Sequence, residues 1–93
     1  MKIVPVKSKD VRQVFKQHYG SFIRVSNTTK KGHRTFLFEN TADVDDTATS
    51  LLIWDVLAKD KDNKPKAGHR RITFDTITTL NIESENLQYI NIK

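Results

Sequence analysis

The 93 residues include no cysteine, only two prolines and three glycines, and no apolar run long enough to cross a bilayer. Each absence removes a class of protein. Without cysteine there is neither a disulfide framework nor a thiolate metal site. Three scattered glycines form no phosphate-cradling loop ahead of a helix. The opening Met1-Lys2-Ile3-Val4-Pro5 lacks the apolar stretch of a signal peptide, so the expectation is a cytoplasmic protein with no membrane partner. Hydrophobic residues make up 37% of the chain and aromatic residues 9%, enough for one small core. A single domain over residues 1–93 is therefore expected, as a monomer or a homodimer.

What the chain does have is positive charge. Lys and Arg number 16 against 11 Asp and Glu, for a formal net charge of +5. Such an excess commonly accompanies phosphate or acidic partners. The charge is segregated along the sequence. Lys2, Lys7, Lys9, Arg12 and Lys16 face only Asp10 in the first twenty residues, and Lys59, Lys61, Lys64, Lys66, Arg70 and Arg71 outnumber Asp60 and Asp62. Glu39, Asp43, Asp45 and Asp46 form an acidic stretch between them.

One basic motif occurs twice. Lys30-Lys31-Gly32-His33-Arg34-Thr35-Phe36 returns as Lys66-Ala67-Gly68-His69-Arg70-Arg71-Ile72-Thr73-Phe74, with Lys, Gly, His and Arg each displaced by 36 positions. Glycine can take the positive φ that ends a tight turn, and the following Arg opens a β-rich run. Both copies thus read as basic tips of β-hairpins, with Lys30, Lys31, His33, Arg34, Lys66, His69, Arg70 and Arg71 near loops. Flanking residues match poorly, which favours recurrent turn chemistry over a duplicated unit.

The remaining pattern is mainly β with one short N-terminal α-helix. Residues 1–6 suit an edge strand interrupted by Pro5. A helix follows, with Ser8 as N-cap, Val11, Val14, Phe15 and Tyr19 on its apolar side and Gly20 as its stop. Strands are expected over 21–26 and 34–39, joined by a turn at 27–32. Residues 40–49 lack apolar periodicity and read as an exposed connection. The run Ser50-Leu51-Leu52-Ile53-Trp54-Asp55-Val56-Leu57-Ala58 reads as a central strand buried on both sides. A polar tip at 59–68 then leads to strands at 70–74, 78–82 and 87–92. Five or six short strands after one helix give a small SH3/Sm-like barrel or a curled antiparallel sheet.

Catalytic and metal chemistry find little support in these residues. His18, His33 and His69 lie far apart, and Asp43-Val44-Asp45-Asp46 lacks the glycine and the distal glutamate of a calcium loop. No Gly-x-Ser-x-Gly or His-Glu-x-x-His signature occurs, and only His33 and His69, meeting across the two hairpins, offer an acid–base pair for RNA cleavage. No cofactor is expected. Nucleic-acid binding fits better, because basic hairpin residues neutralise phosphates while Phe22, Phe36, Phe38, Trp54 or Tyr89 on strand faces offer stacking platforms. Most of Phe15, Phe22, Phe36, Phe38, Trp54 and Phe74 are also needed for a core this small.

From Leu51 to Glu83 the order of features resembles the WYL-type domain of bacterial regulators. The stretches that carry the likeness are Leu51-Leu52-Ile53-Trp54-Asp55-Val56, then Arg71-Ile72-Thr73-Phe74-Asp75-Thr76-Ile77, then Thr79-Leu80-Asn81-Ile82. The Trp-Tyr-Leu signature is replaced by Ile53-Trp54-Asp55. The resemblance implies a small barrel that senses nucleic acids or nucleotide-type ligands, with Arg70 or Arg71 as the residues carried over. The reading is thus a non-enzymatic, nucleic-acid-binding domain with a regulatory role that uses the eight basic residues named above. The rival is a protein-interaction module, a subunit or an inhibitor, that offers basic hairpins to an acidic protein surface or pairs through edge strands.

Overall fold

Alternation of β-branched and aromatic side chains with polar ones sets most of the strands. The computed structural model describes residues 1–92. It contains β1 (Lys2–Lys7), α1 (Val11–Gln17), β2 (Phe22–Thr29), β3 (Gly32–Glu39), β4 (Ser50–Asp55), β5 (Gly68–Thr73), β6 (Ile77–Ile82) and β7 (Leu87–Ile92), with short 3-10 turns at Ser8–Asp10, Phe74–Thr76 and Glu83–Glu85. Five strands form one sheet in the order β1-β7-β6-β2-β3, and β4 and β5 form a separate two-stranded ribbon.

The mainly β class with one N-terminal helix is as expected, as are an N-terminal edge strand and six strands after the helix, but two details of the sheet differ. The barrel does not close, and β1 runs parallel to β7, so the main sheet is mixed. The first strand pairs with the last, from Lys2 opposite Leu87 to Lys7 opposite Ile92. A pairing between residues so far apart has no turn to fix its direction, and nothing in either segment alone reveals it.

The helix begins later than expected. Ser8 sits in the 3-10 turn and makes no side-chain cap; its Oγ instead donates to Asn91 Oδ1 on β7 at 2.9 Å. Val11, Val14 and Phe15 are buried, as their spacing requires, and Gly20 takes φ +89 where the chain leaves the helix. Tyr19 is exposed rather than apolar-facing, because α1 ends at Gln17 and the helical period no longer governs position 19. Asn40, fully buried at the end of β3, donates through Nδ2 to Phe15 O and His18 O and so satisfies helix-terminal carbonyls.

The core lies between the inner face of the main sheet, α1 and the ribbon. Phe15 stacks on Phe38 with centroids 6.3 Å apart and meets Phe74 edge-on at 5.5 Å. Ile23, Val25, Ile77, Leu80 and Ile82 close the sheet side, and Leu51, Ile53 and Ile72 close the ribbon side. Burying each such side chain contributes about 1.5–3 kcal/mol. The 40–49 connection is not wholly exposed: Val44 is buried, and Ala42 and Ala48 pack against the core. Single apolar side chains spaced by polar ones plug a gap without producing any period.

β4 is not a doubly buried central strand. Leu51, Ile53 and Asp55 point inward, whereas Leu52 and Trp54 are each 52% exposed. The ribbon is the outermost layer over the core, so only one of its faces is covered, although the sequence of β4 is apolar on both. It is fastened to the main sheet at its end: Val56 N donates to Leu37 O at 2.9 Å, and the buried Asp55 Oδ1 accepts from Leu37 N and Leu57 N.

Candidate nucleic-acid interface

The two motif copies adopt different backbones. In the first, Thr29 pairs with Gly32 across a tight turn, Lys30 and Lys31 form its tip, and Gly32 takes φ +121. In the second, Gly68 opens β5 without a positive φ. The left-handed residue of that hairpin is Asn63, at φ +64, inside a loop closed by the Lys59–Pro65 bridge. Asp60 Oδ1 accepts from Asp62 N and Lys64 N and so completes the turn without glycine. The expectation of a basic hairpin tip therefore holds for Lys30 and Lys31. Lys66 lies in the 59–68 loop, and Arg34, Arg70 and Arg71 stand on strands that leave the two loops, as the reading has them; the strands begin earlier than expected, at Gly32 and Gly68, and so also include His33 and His69.

The motif residues then gather in neighbouring clefts. A cleft of about 690 Å³ is rimmed by Lys30, Lys31, Arg34 and Arg71 and includes Phe36 and Asn27 in its lining. A second, of about 580 Å³, is lined by Arg34, His33, Lys59, Arg70 and the buried Asp55. A third, of about 490 Å³, brings Arg70 and Lys59 together with Lys61 and Lys66, alongside Asp60 and Asp62. Arg34 belongs to both the first and the second cleft, and Arg70 and Lys59 to both the second and the third. The two hairpins thus contribute to one chain of three adjoining depressions. Seven of the eight sequence-predicted residues line it.

His69 is the exception. It stands edge-on to Trp54, centroids 4.9 Å apart at 81°, and lines a separate groove of about 460 Å³ with Phe22, Leu52 and Val56. His33 lies in the second cleft, with Nδ1 2.8 Å from Thr28 Oγ1. The two histidines are therefore not brought together as an acid–base pair. Phe15, Phe36, Phe38 and Phe74 are core residues, while Trp54 and Phe22 are exposed, at 52% and 45%. Trp54 follows from the one-sided cover of β4, and Phe22 from its place at the outer start of β2.

The electrostatics favour an anion along the three clefts. Ion pairs among the described residues join Lys16 to Asp46, His18 to Glu85 and Arg24 to Glu83, and none engages a motif cation. Arg71 Nη1 donates to Ser50 Oγ at 2.9 Å, and Arg70 Nη1 to His69 O at 2.7 Å, so both guanidiniums are steadied by neutral acceptors and keep their charge uncompensated. Carboxylates line only the second and third clefts: Asp55, whose Oδ1 is committed to two backbone N–H groups, in the second, and Asp60 and Asp62 in the third, so the first cleft is the most positive.

A cluster that sequence reasoning missed lies at the other side of the molecule. His18 Nδ1 is 3.0 Å from Glu85 Oε2, and its Nε2 is 2.9 Å from the Tyr89 hydroxyl. Residues 67 and 71 positions apart meet only in the folded chain. Burial, with Glu85 nearby, pushes the Tyr89 hydroxyl above its usual pKa of 10.0, the opposite of what an activated nucleophile needs. The cluster ties the end of α1 to β7. Among the described residues no group of three or more His, Cys, Asp and Glu side chains is placed to hold a metal ion, and no helix is long and apolar enough to cross a membrane.

These features define a class, a small β-rich domain whose basic strands line an open run of clefts. No protein-family model matches the chain, and no curated protein or solved structure matches it either.

Proposed function

We propose that this chain is a non-enzymatic, nucleic-acid-binding domain with a regulatory, cytoplasmic role, and that Lys30, Lys31, Arg34, Lys66, Arg70 and Arg71 contact the phosphates. The observation that carries the reading is the double membership of Arg34. Through it, the cations of the first hairpin continue into those of the second. A continuous line of cations, offset by carboxylates only at Asp55 in the second cleft and Asp60 and Asp62 in the third, suits a polyanion better than a single small anion. Trp54 on β4 and Phe22 at the start of β2, both exposed, line a separate groove that offers an aromatic surface. The resemblance of residues 51–83 to WYL-type domains supports the same ligand class.

Titration of labelled single-stranded DNA, duplex DNA and RNA by fluorescence anisotropy at two salt concentrations tests the reading. Neutralising about four to six phosphates gives an affinity that falls steeply with salt. Arg34→Gln is expected to weaken binding most, by about tenfold, and to lower the salt slope by about one unit. Lys66→Gln, in the cleft that also holds Asp60 and Asp62, is expected to weaken it least. Absence of binding to all three ligands at low salt overturns the proposal.

One observation favours a protein partner as the second reading. Among the described residues β1 pairs with β7 alone, and Ile3, Ile90 and Ile92 stand exposed next to that open edge. An unpaired edge flanked by apolar side chains accepts an added strand. A pull-down that recovers a partner with wild type and loses it on Ile3→Lys distinguishes this from binding through the clefts.

A further inference from the structure

The ribbon turns one face to water, and that face sets an aromatic ring next to positive charge. Along β4 the side chains alternate, with Leu51, Ile53 and Asp55 buried and Leu52 and Trp54 exposed. β5 alternates in step, because its register places His69 across from Trp54 and Arg71 across from Leu52, and both are exposed. Trp54 and Arg71 therefore lie on adjacent rungs of one open face, about 7 Å apart along the strands. The Arg71 guanidinium reaches toward Ser50 and lines the first cleft beside Lys30, Lys31 and Arg34. Trp54 lines the 460 Å³ groove, where the His69 ring meets it edge-on at 4.9 Å and steadies it. Arg71 thus links the aromatic groove to the line of cations.

Charge separates the two exposed rings of that groove. Glu39 is its one lining carboxylate, and it lies directly across the β2–β3 ladder from Phe22. Phe22 shares its rung with a negative charge, whereas Trp54 neighbours a cation. The only carboxylate on either ribbon strand is Asp55, which is turned inward. A single small anion would engage the cations and leave the indole bare. An apolar peptide would cover the indole and leave the adjoining cations unmet. Duplex bases are stacked on one another and have no free face to offer. An unpaired nucleotide brings a flat π face and a phosphate, at a spacing comparable with that between Trp54 and Arg71.

We infer that the protein binds single-stranded rather than duplex nucleic acid, with one unpaired base stacked on Trp54 and the adjoining phosphate held by Arg71, from which the strand continues into the first cleft. This rests on the reading of the clefts as a nucleic-acid interface and deepens it: the ligand is a single strand, and the ring that takes its base is Trp54 and not Phe22.

Emission from Trp54, the sole tryptophan, reports the contact without a label on the strand. The test titrates wild type, at one low salt concentration, with a single strand of about twelve nucleotides, the same backbone made abasic throughout, and a duplex. Affinities are read by competition against a labelled strand in fluorescence anisotropy. The base-bearing strand is expected to quench Trp54 and to bind about tenfold more tightly than the abasic strand, which binds without quenching. Trp54→Ala is expected to bind the abasic strand as wild type does and to bind the base-bearing strand no more tightly than that. Phe22→Ala is expected to keep the preference. A base-bearing strand that binds no more tightly than the abasic one, or that leaves the emission unchanged, overturns the stacked base; salt-dependent binding of both strands still leaves the phosphate interface standing. Quenching by the duplex overturns the choice of a single strand. A preference that survives Trp54→Ala, or is lost in Phe22→Ala, overturns the assignment to Trp54. Failure to bind any of the three ligands overturns the phosphate interface as well. The wild-type measurements need no variant, so they decide the matter even if Trp54→Ala does not fold.

Discussion

The segments 30–36 and 66–74 share Lys, Gly, His and Arg at the same spacing and yet do different things. In the first, the glycine is left-handed, the lysines form the hairpin tip, and the histidine bonds to a neighbouring threonine on β2. In the second, the glycine opens a strand, an asparagine five residues earlier takes the left-handed position, and the histidine lies against Trp54. What the copies keep in common is the inward side of the strand. Arg34 and Arg70 both end in the same cleft. The shared residues thus fix charge and face, whereas the length and composition of the loop before them fix the backbone. A two-residue turn demands a positive φ at its end; a ten-residue tip with Asp60 and Asn63 has other ways to reverse the chain.

The largest expected effect comes from separating the two hairpins. Asp55→Ala removes the acceptor that holds Leu37 N and Leu57 N and is expected to cost about 2–4 kcal/mol in urea unfolding, because two N–H groups at the β3–β4 junction lose their partner. Asp55→Asn keeps an acceptor in place and is expected to cost far less. Equal losses for the two variants would mean that the charge, and not the hydrogen bonds, makes the junction.

Next comes the contrast between the glycines. Gly32→Ala forces a side chain onto φ +121 and is expected to destabilise by about 1–2 kcal/mol. At Gly68 an added Cβ meets the Arg70 guanidinium at 3.4 Å, the end of a flexible side chain, and Lys66 O at an ordinary 4.0 Å, so Gly68→Ala is expected to stay within about 0.5 kcal/mol of wild type. Chemical denaturation of both variants checks the pair, and equal costs would dissolve the distinction drawn between the turns.

The smallest effect belongs to the histidines. Each replacement by alanine is expected to alter stability by no more than about 0.5 kcal/mol, since both rings are largely exposed. His69→Ala, however, should change the emission of Trp54, the sole tryptophan, and His33→Ala should leave it as it is. A response to both would place the two rings nearer each other than the separate clefts allow.

Much of this molecule was legible along the chain. The apolar face of α1, the first hairpin, the polar tip at 59–68 and the last three strands all follow from period and turn chemistry, and the motif cations were found by repetition alone. What was not legible depends on which element covers which. The run at 50–58 is apolar on both faces, and no period reveals that its outer face stays in water. Val44 and Ala48 sit in a polar stretch, and only the folded chain brings them against the core. Turn chemistry assigns Asn27 to the 27–32 connection, although its alternation with Ile23 and Val25 marks it as inward-facing.

The sequence by itself determined the elements and the chemistry carried on each face, because the periods of helix and strand and the φ preferences of Gly, Asn and Pro act within a few residues. Only the tertiary structure decided that β1 lies parallel to β7, that β4 and β5 stand apart as a ribbon, that Arg34 joins two sets of cations, and that Trp54 and Arg71 share the uncovered face of that ribbon. Those arrangements arise where segments tens of residues apart compete to cover one small core, and the outcome of that competition is a property of the whole chain.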